Sequence, residues 1–182
     1  RAADESAVKA IAALLRSGQK AALLLGGHAL REPALLAASR IGTTTGAKLL
    51  AEVFPTRIER GAGLPAIERL AYFAELAGVQ LAGLQHLILV DAKSPVSFFA
   101  YPGKASDLVP PGCTVHTLAA PDQDARAGLE QLVAALGAGA AQPALQTTTR
   151  PDRPTGELTA ARACQAVGHL LPEGAIVVDE AI

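Results

Sequence analysis

Five apolar residues in a row, Ala21-Ala22-Leu23-Leu24-Leu25, stop abruptly at Gly26-Gly27. A run this short suits a strand, and an unbroken one has no face to turn to water, so it belongs in a parallel sheet covered on both sides. His86-Leu87-Ile88-Leu89-Val90-Asp91 repeats the pattern, while Lys48 to Glu52 and Cys113 to Leu118 give weaker versions of it. Parallel neighbours need a crossover between them, commonly a helix. Val8, Ile11, Ala12 and Leu15 recur at helical spacing behind Asp4 and Ser6, and Gly18 ends that helix. Pro33 opens a second helix whose stripe is Ala34, Ala37, Ala38 and Ile41.

Pro65 is expected to open a third helix, with Ala66, Leu70, Phe73 and Ala77 buried. Ala125, Leu129, Leu132, Val133 and Leu136 mark a fourth behind Asp122 and Asp124, where the helix dipole favours acids. Phe54 to Leu64 reads as loop around one short edge strand near Ile58, and Ser97 to Tyr101 as a further strand closed by Pro102-Gly103. The expectation is a doubly wound, Rossmann-like α/β domain over residues 1–137. Its six-stranded parallel sheet runs in the order 3-2-1-4-5-6 with helices on both faces.

Residues 138–157 change character, with small residues, Gln, three consecutive Thr and several prolines, and read as a linker. Beyond it, Leu158 to Leu171 resumes helical periodicity and Ala175-Ile176-Val177-Val178 is a buried-type strand. A helix and one strand cannot bury their apolar faces alone, so residues 158–182 read as the truncated start of a second domain. The absence of any Met fits a chain also cut at its front.

Sixteen basic against seventeen acidic residues, with the signs interspersed, give a net charge of −1. Nucleic-acid binding needs a clustered basic surface and, for single strands, stacking aromatics, which are only 3% of this chain. No apolar run nears the roughly 20 residues that span a bilayer, and no signal peptide is readable, so neither nucleic acid nor membrane is an expected partner and the location reads as cytoplasmic. Cys113 and Cys164 read as reduced structural thiols. Gly-x-Ser-x-Gly, the Walker loop, His-Glu-x-x-His and Cys-x-x-Cys are all absent. His28, His86, His116 and His169 each lack a second ligand at helical spacing, so no catalytic residue and no metal site is expected.

One segment has a physical rationale for binding. The first strand runs into Gly26-Gly27-His28 and then a helix, so a ligand can approach the backbone and find free N–H groups at the helix start. At the strand ends, Glu52, Asp91 and Lys93 come near the same crevice if the first and fourth strands are neighbours. Gly26, Gly27, His28, Glu52, Asp91 and Lys93 are therefore the candidate cofactor-binding set. A tight strand-to-helix turn uses the same glycines with no ligand, and the charged residues read equally as solvated strand ends.

The stretches Ala21 to Gly27, Thr45 to Glu52, Gly61-Ala62-Gly63-Leu64-Pro65, Leu87 to Val90 and Tyr101-Pro102-Gly103-Lys104 together resemble the central domain of thiamine-diphosphate-dependent enzymes, especially acetolactate-synthase-like large subunits. The tail from Leu170 to Glu180 is similar to the entry into their carboxyl-terminal domain. The resemblance implies a parent 2-oxo acid decarboxylase or carboligase, a lyase or transferase, that is a homodimer or homotetramer. In it, thiamine diphosphate and Mg2+ are held by amino- and carboxyl-terminal domains that this chain lacks, and Asp179 and Glu180 can face that cofactor.

Family central domains hold FAD, an ADP-type nucleotide or nothing. Here His28 replaces a third glycine, Asp91-Ala92-Lys93-Ser94-Pro95 replaces an Arg- and Asp-rich stretch, and Thr117-Leu118 stands where acidic residues are usual. These departures imply an empty or weakly nucleotide-binding site rather than FAD, and a fragment that is not catalytic alone. The alternative is a free-standing module for FAD, ADP or NAD.

Overall fold

The computed structural model describes residues 2–100, 102–103 and 105–178. It divides into two compact units, Arg1–Gln146 and Thr147–Ile182.

In the first unit, helix α1 spans Glu5–Arg16; the Asp4 carboxylate caps it by accepting the Ser6 N–H at 2.9 Å, and Val8, Ile11, Ala12 and Leu15 are its buried stripe. Strand β1, Ala21–Leu25, is buried along its whole length. Helix α2 spans Glu32–Thr45 with Pro33 in its first turn, and Gly46 ends it at φ 75°, a left-handed cap that glycine adopts without strain. Strand β2 is Lys48–Ala51, β3 is Glu68–Arg69, helix α3 is Ala74–Leu81, β4 is His86–Val90, β5 is Thr114–Ala119 and helix α4 is Ala125–Leu136.

The five strands are all parallel and lie in the order β3-β2-β1-β4-β5. Alternation along β1 explains why its sequence is apolar without a break. Ala21, Leu23 and Leu25 enter a core shared with α1, α2 and α4, while Ala22 and Leu24 enter a second core on the opposite face with Ala77 and Leu81 of α3. Burying each of those leucines contributes about 1.5–3 kcal/mol. The α3 face is the thinner one, and it leaves Leu76 and Val79 exposed.

Three expectations are corrected here. The sheet has five strands among the described residues, because Ser97 to Ala100 forms none. Val96 makes only an isolated antiparallel bridge to Asp107, and Phe98 and Phe99 stack on other rings instead of joining the ladder; Tyr101 lies outside the described residues. The run ending at Leu118 is consequently fifth in the order. The edge strand sits at Glu68–Arg69 rather than near Ile58, and Pro65 opens no helix. The Leu70 N–H donates to the Ala51 carbonyl at 2.9 Å, so pairing with the sheet edge captures this segment before any helix begins. Ile58 instead packs on the core beside α2.

Residues just after α4 stay with the first unit. Ala138 is buried, the Ala144 N–H donates to Ser39 Oγ at 2.9 Å, and the Gln146 N–H donates to the Leu64 carbonyl at 2.9 Å.

In the second unit, helix α5 spans Ala160–Leu170. Thr159 Oγ1 accepts the Arg162 N–H at its start, and the Arg150 guanidinium donates to the carbonyls of His169 and Leu171 at its end. The strand expected at Ala175–Val178 does not form, since a strand needs a neighbour to take its N–H and C=O groups; Ile176, Val177 and Val178 are exposed. Asp179 and Glu180 lie outside the described residues. Among the described residues no helix is long and apolar enough to cross a membrane.

Candidate functional site

Gly26, Glu52 and Asp91 directly follow β1, β2 and β4, three adjacent parallel strands, so the register brings them to one end of the sheet. Gly26 is extended and Gly27 has φ 42°, turning the chain into a single 3-10 turn, Gly27–Leu30, that leads to α2. This is the geometry the sequence suggested for a phosphate cradle. Its N–H groups are already engaged. Glu52 Oε1 accepts the Gly27 N–H at 3.2 Å, and Asp91 Oδ2 accepts the His28 N–H at 2.7 Å. At the start of α2, Glu59 Oε2 accepts the Glu32 N–H. At the start of α4, Asp124 Oδ1 accepts the Ala127 N–H at 3.0 Å. Carboxylates of the chain itself thus accept the N–H groups of this turn and of the two helix starts.

Neither glycine of the turn has room for a side chain. A side-chain carbon on Gly26 would lie 2.8 Å from Glu52 Oε1, and one on Gly27 would collide with the Asp91 carboxylate. These glycines are required by the chain's own acids, a role that needs no ligand. Asp91 has φ 51°, the only positive value among the described non-glycine residues, and its side chain is 8% exposed. His28, by contrast, is 86% exposed, with Nδ1 3.5 Å from Asp91 Oδ2. Burial pushes the Glu52 carboxyl above the usual glutamate value, the Gly27 hydrogen bond opposes this, and the negative Asp91 reinforces it.

Two surface hollows flank this end of the sheet. One, of about 370 Å³, lies between the starts of α2 and α4 and is lined by His28, Arg31, Gln123, Asp124 and Arg126 among others. Arg126 is bound to Glu130 at 2.8 Å, and Arg31 Nη1 is shut off from solvent without a hydrogen-bond partner. The other, of about 200 Å³, holds the sixth candidate, Lys93, which is exposed, together with Glu52, Phe54, Tyr72 and Phe98. Five of the six predicted residues therefore meet at one turn, and Lys93 sits apart from it.

Sequence reading missed two features. Glu59 lies in an irregular loop with no pattern to mark it. The four phenylalanines, at 54, 73, 98 and 99, gather with Tyr72 into one cluster of ring centroids 5.0–5.7 Å apart, with Phe54, Phe73, Phe98 and Phe99 all substantially exposed. Only their isolation in an aromatic-poor chain could have hinted at this.

The fold is a doubly wound α/β domain, and the same fold occurs within solved thiamine-diphosphate-dependent enzymes. Benzoylformate decarboxylase from Polynucleobacter necessarius superposes with a TM-score of 0.58 at 18% identity, over 89% of this chain and 33% of that one. The thiamine-diphosphate-dependent 4-hydroxybenzoylformate decarboxylase of Rhodococcus jostii RHA1 gives 0.53 at 17% identity, over 82% and 30%. In sequence, the chain resembles the acetolactate-synthase-like large subunits. It is 56% identical over 170 residues, 93% of its length, to a Mycobacterium tuberculosis (strain ATCC 25618 / H37Rv) protein provisionally named acetolactate synthase large subunit IlvX. The chain spans about a third of the length of that relative. No family model matches it.

Proposed function

We propose that this chain is the central, structural domain of a thiamine-diphosphate-dependent 2-oxo acid decarboxylase or carboligase similar to acetolactate synthase, and that it supplies no catalytic group. The observation that carries the reading is the turn at Gly26-Gly27-His28, whose anion-binding N–H groups are taken by Glu52 and Asp91. A domain that held FAD or ADP by its diphosphate would leave those donors free. Residues 1–137 form the domain proper, 138–157 a linker whose first stretch, to Gln146, packs on that domain, and 158–182 the start of the diphosphate-binding domain.

Thiamine diphosphate and its magnesium ion belong to other parts of the parent. The Gly-Asp-Gly metal motif that the resemblance implies does not occur in this sequence, and the residues here that the resemblance turns toward the cofactor are Asp179 and Glu180. The exposed cluster of Phe54, Phe73, Phe98 and Phe99 is the face on which the remaining domains of the same polypeptide sit, because an apolar patch of this kind is rarely left open to water. On this reading the parent is a cytoplasmic homodimer or homotetramer.

The test is a thermal-shift screen of the chain with FAD, ADP, NAD and coenzyme A. A ligand at 100 times its dissociation constant stabilises by about 2.7 kcal/mol, so a true site moves the midpoint clearly. The expected result is no shift with any of the four. A shift with one of them, lost in Gly27→Ala, overturns the reading in favour of a nucleotide-binding module.

A further inference from the structure

The sheet brings together two histidines that lie far apart in sequence. The parallel register of β4 and β5 sets Ile88 opposite His116. His86 shares a face with Ile88 two residues on, so it becomes the diagonal neighbour of His116. His86 Nδ1 and His116 Nε2 are 3.1 Å apart, with ring centroids 5.2 Å apart. On its other side, His86 Nε2 lies 2.7 Å from Gln19 Oε1. An amide oxygen only accepts, so Nε2 carries the His86 proton and Nδ1 presents a lone pair. His116 then donates from Nε2. In its neutral form His116 has one proton for two nitrogens, and moving that proton to Nδ1 frees Nε2 as a second lone pair without releasing it to solvent.

We propose that His86 and His116 form a two-imidazole site for a borderline first-row cation, Cu2+, Ni2+ or Zn2+, which takes the place of the proton they share. Two ring nitrogens each about 2.0–2.1 Å from one ion and 3.1 Å from each other subtend roughly 100° at the metal. That angle suits adjacent positions of either a square-planar or a tetrahedral sphere, and a small tilt of each ring aims both lone pairs at the ion. Gln19 supplies the outer hydrogen bond that fixes which nitrogen of a metal-bound histidine is free. Both histidines are partly exposed, so water completes the coordination. His86 begins β4, which places the pair at the opposite end of the sheet from the glycine turn and makes the inference independent of the function proposed above.

Nickel titration of the folded chain by calorimetry tests it. One ion per chain is expected at this pair, with His86→Ala and His116→Ala each weakening affinity about tenfold or more, as loss of Gln19 in Gln19→Leu also does. His28→Ala and His169→Ala leave affinity unchanged. Imidazole nitrogen NMR of the unmutated chain with Zn2+ gives a readout that depends on no variant folding, and the resonances that move are those of His86 Nδ1 and His116 Nε2. The proposal is overturned if neither metal binds, if the double variant His86→Ala, His116→Ala binds as tightly as the unmutated chain, or if the shifts fall on His28 or His169.

Discussion

Asp91 occupies the space that a Gly27 side chain would need, and both residues hold a positive φ, 51° and 42°. The turn after β1 and the end of β4 are therefore shaped to each other. Gly27→Ala should destabilise by about 1–2 kcal/mol for the left-handed backbone and by about 1–3 kcal/mol more for the collision. Gly46→Ala has the same backbone problem with nothing within 4 Å, so it should cost only the first amount. Urea unfolding of both variants measures the difference, and equal losses would mean that the Asp91 contact constrains nothing.

Glu52 makes the turn sensitive to pH. Its folded value is raised above the ordinary 4.5, chiefly by burial. The folded chain therefore binds this proton more tightly than the unfolded chain, and stability falls as pH rises from the unfolded value through the folded one. Below 4.5 the penalty is absent, and above the folded value it stays in full. Glu52→Gln should gain on the unmutated chain as pH rises from below 4.5 to neutrality, seen as a diverging pair of urea midpoints. Midpoints that stay parallel would show that Glu52 meets no net penalty on ionising.

Arg31 offers a check on anion binding in the larger hollow. Its Nη1 is buried without a partner, and an unmet buried donor costs about 1–3 kcal/mol, more when charged. Arg31→Met should leave the thermal midpoint unchanged or raise it, with inorganic phosphate present or absent. A midpoint that phosphate raises in the unmutated chain alone would assign Arg31 to an anion.

The ring cluster should matter more for docking than for the fold. Phe98 is 58% exposed yet meets Phe54, Tyr72 and Phe99 edge-on or tilted. Each such pair is worth about 0.5–1.5 kcal/mol, whereas Leu24→Ala in the core should cost about 2–5 kcal/mol. Phe98→Ser should therefore unfold at only slightly lower denaturant than the unmutated chain while binding less of an apolar dye. A loss as large as that of Leu24→Ala would place Phe98 in the core of the fold.

Wherever apolar order was strong, the chain could be read without coordinates. The β1 and β4 runs and the stripes of α1, α2 and α4 are local patterns whose physics needs only near neighbours, whereas the choice of Asp4 over Ser6, and of Asp124 over Asp122, as helix cap was settled by the structure. Reading failed where a distant partner decided. Ala66, Leu70, Phe73 and Ala77 fit a helical stripe after Pro65, yet the open edge of β2 was available to pair with that segment. Phe98 and Phe99 have strand propensity, but other rings claimed them.

The candidate site divides the same way. Sequence alone determined that Gly26-Gly27 would end a buried strand and that Glu52 and Asp91 would end two further strands, because the twofold alternation of strands and the flexibility of glycine are properties of the local chain. Only the tertiary structure decided what the turn does. It set strand ends that are 25 and 63 residues away from their hydrogen-bond donors within reach of the turn's N–H groups, so the chain's own carboxylates accept them. No local rule specifies which side chain will arrive at a backbone donor, since that depends on the register of three strands at once.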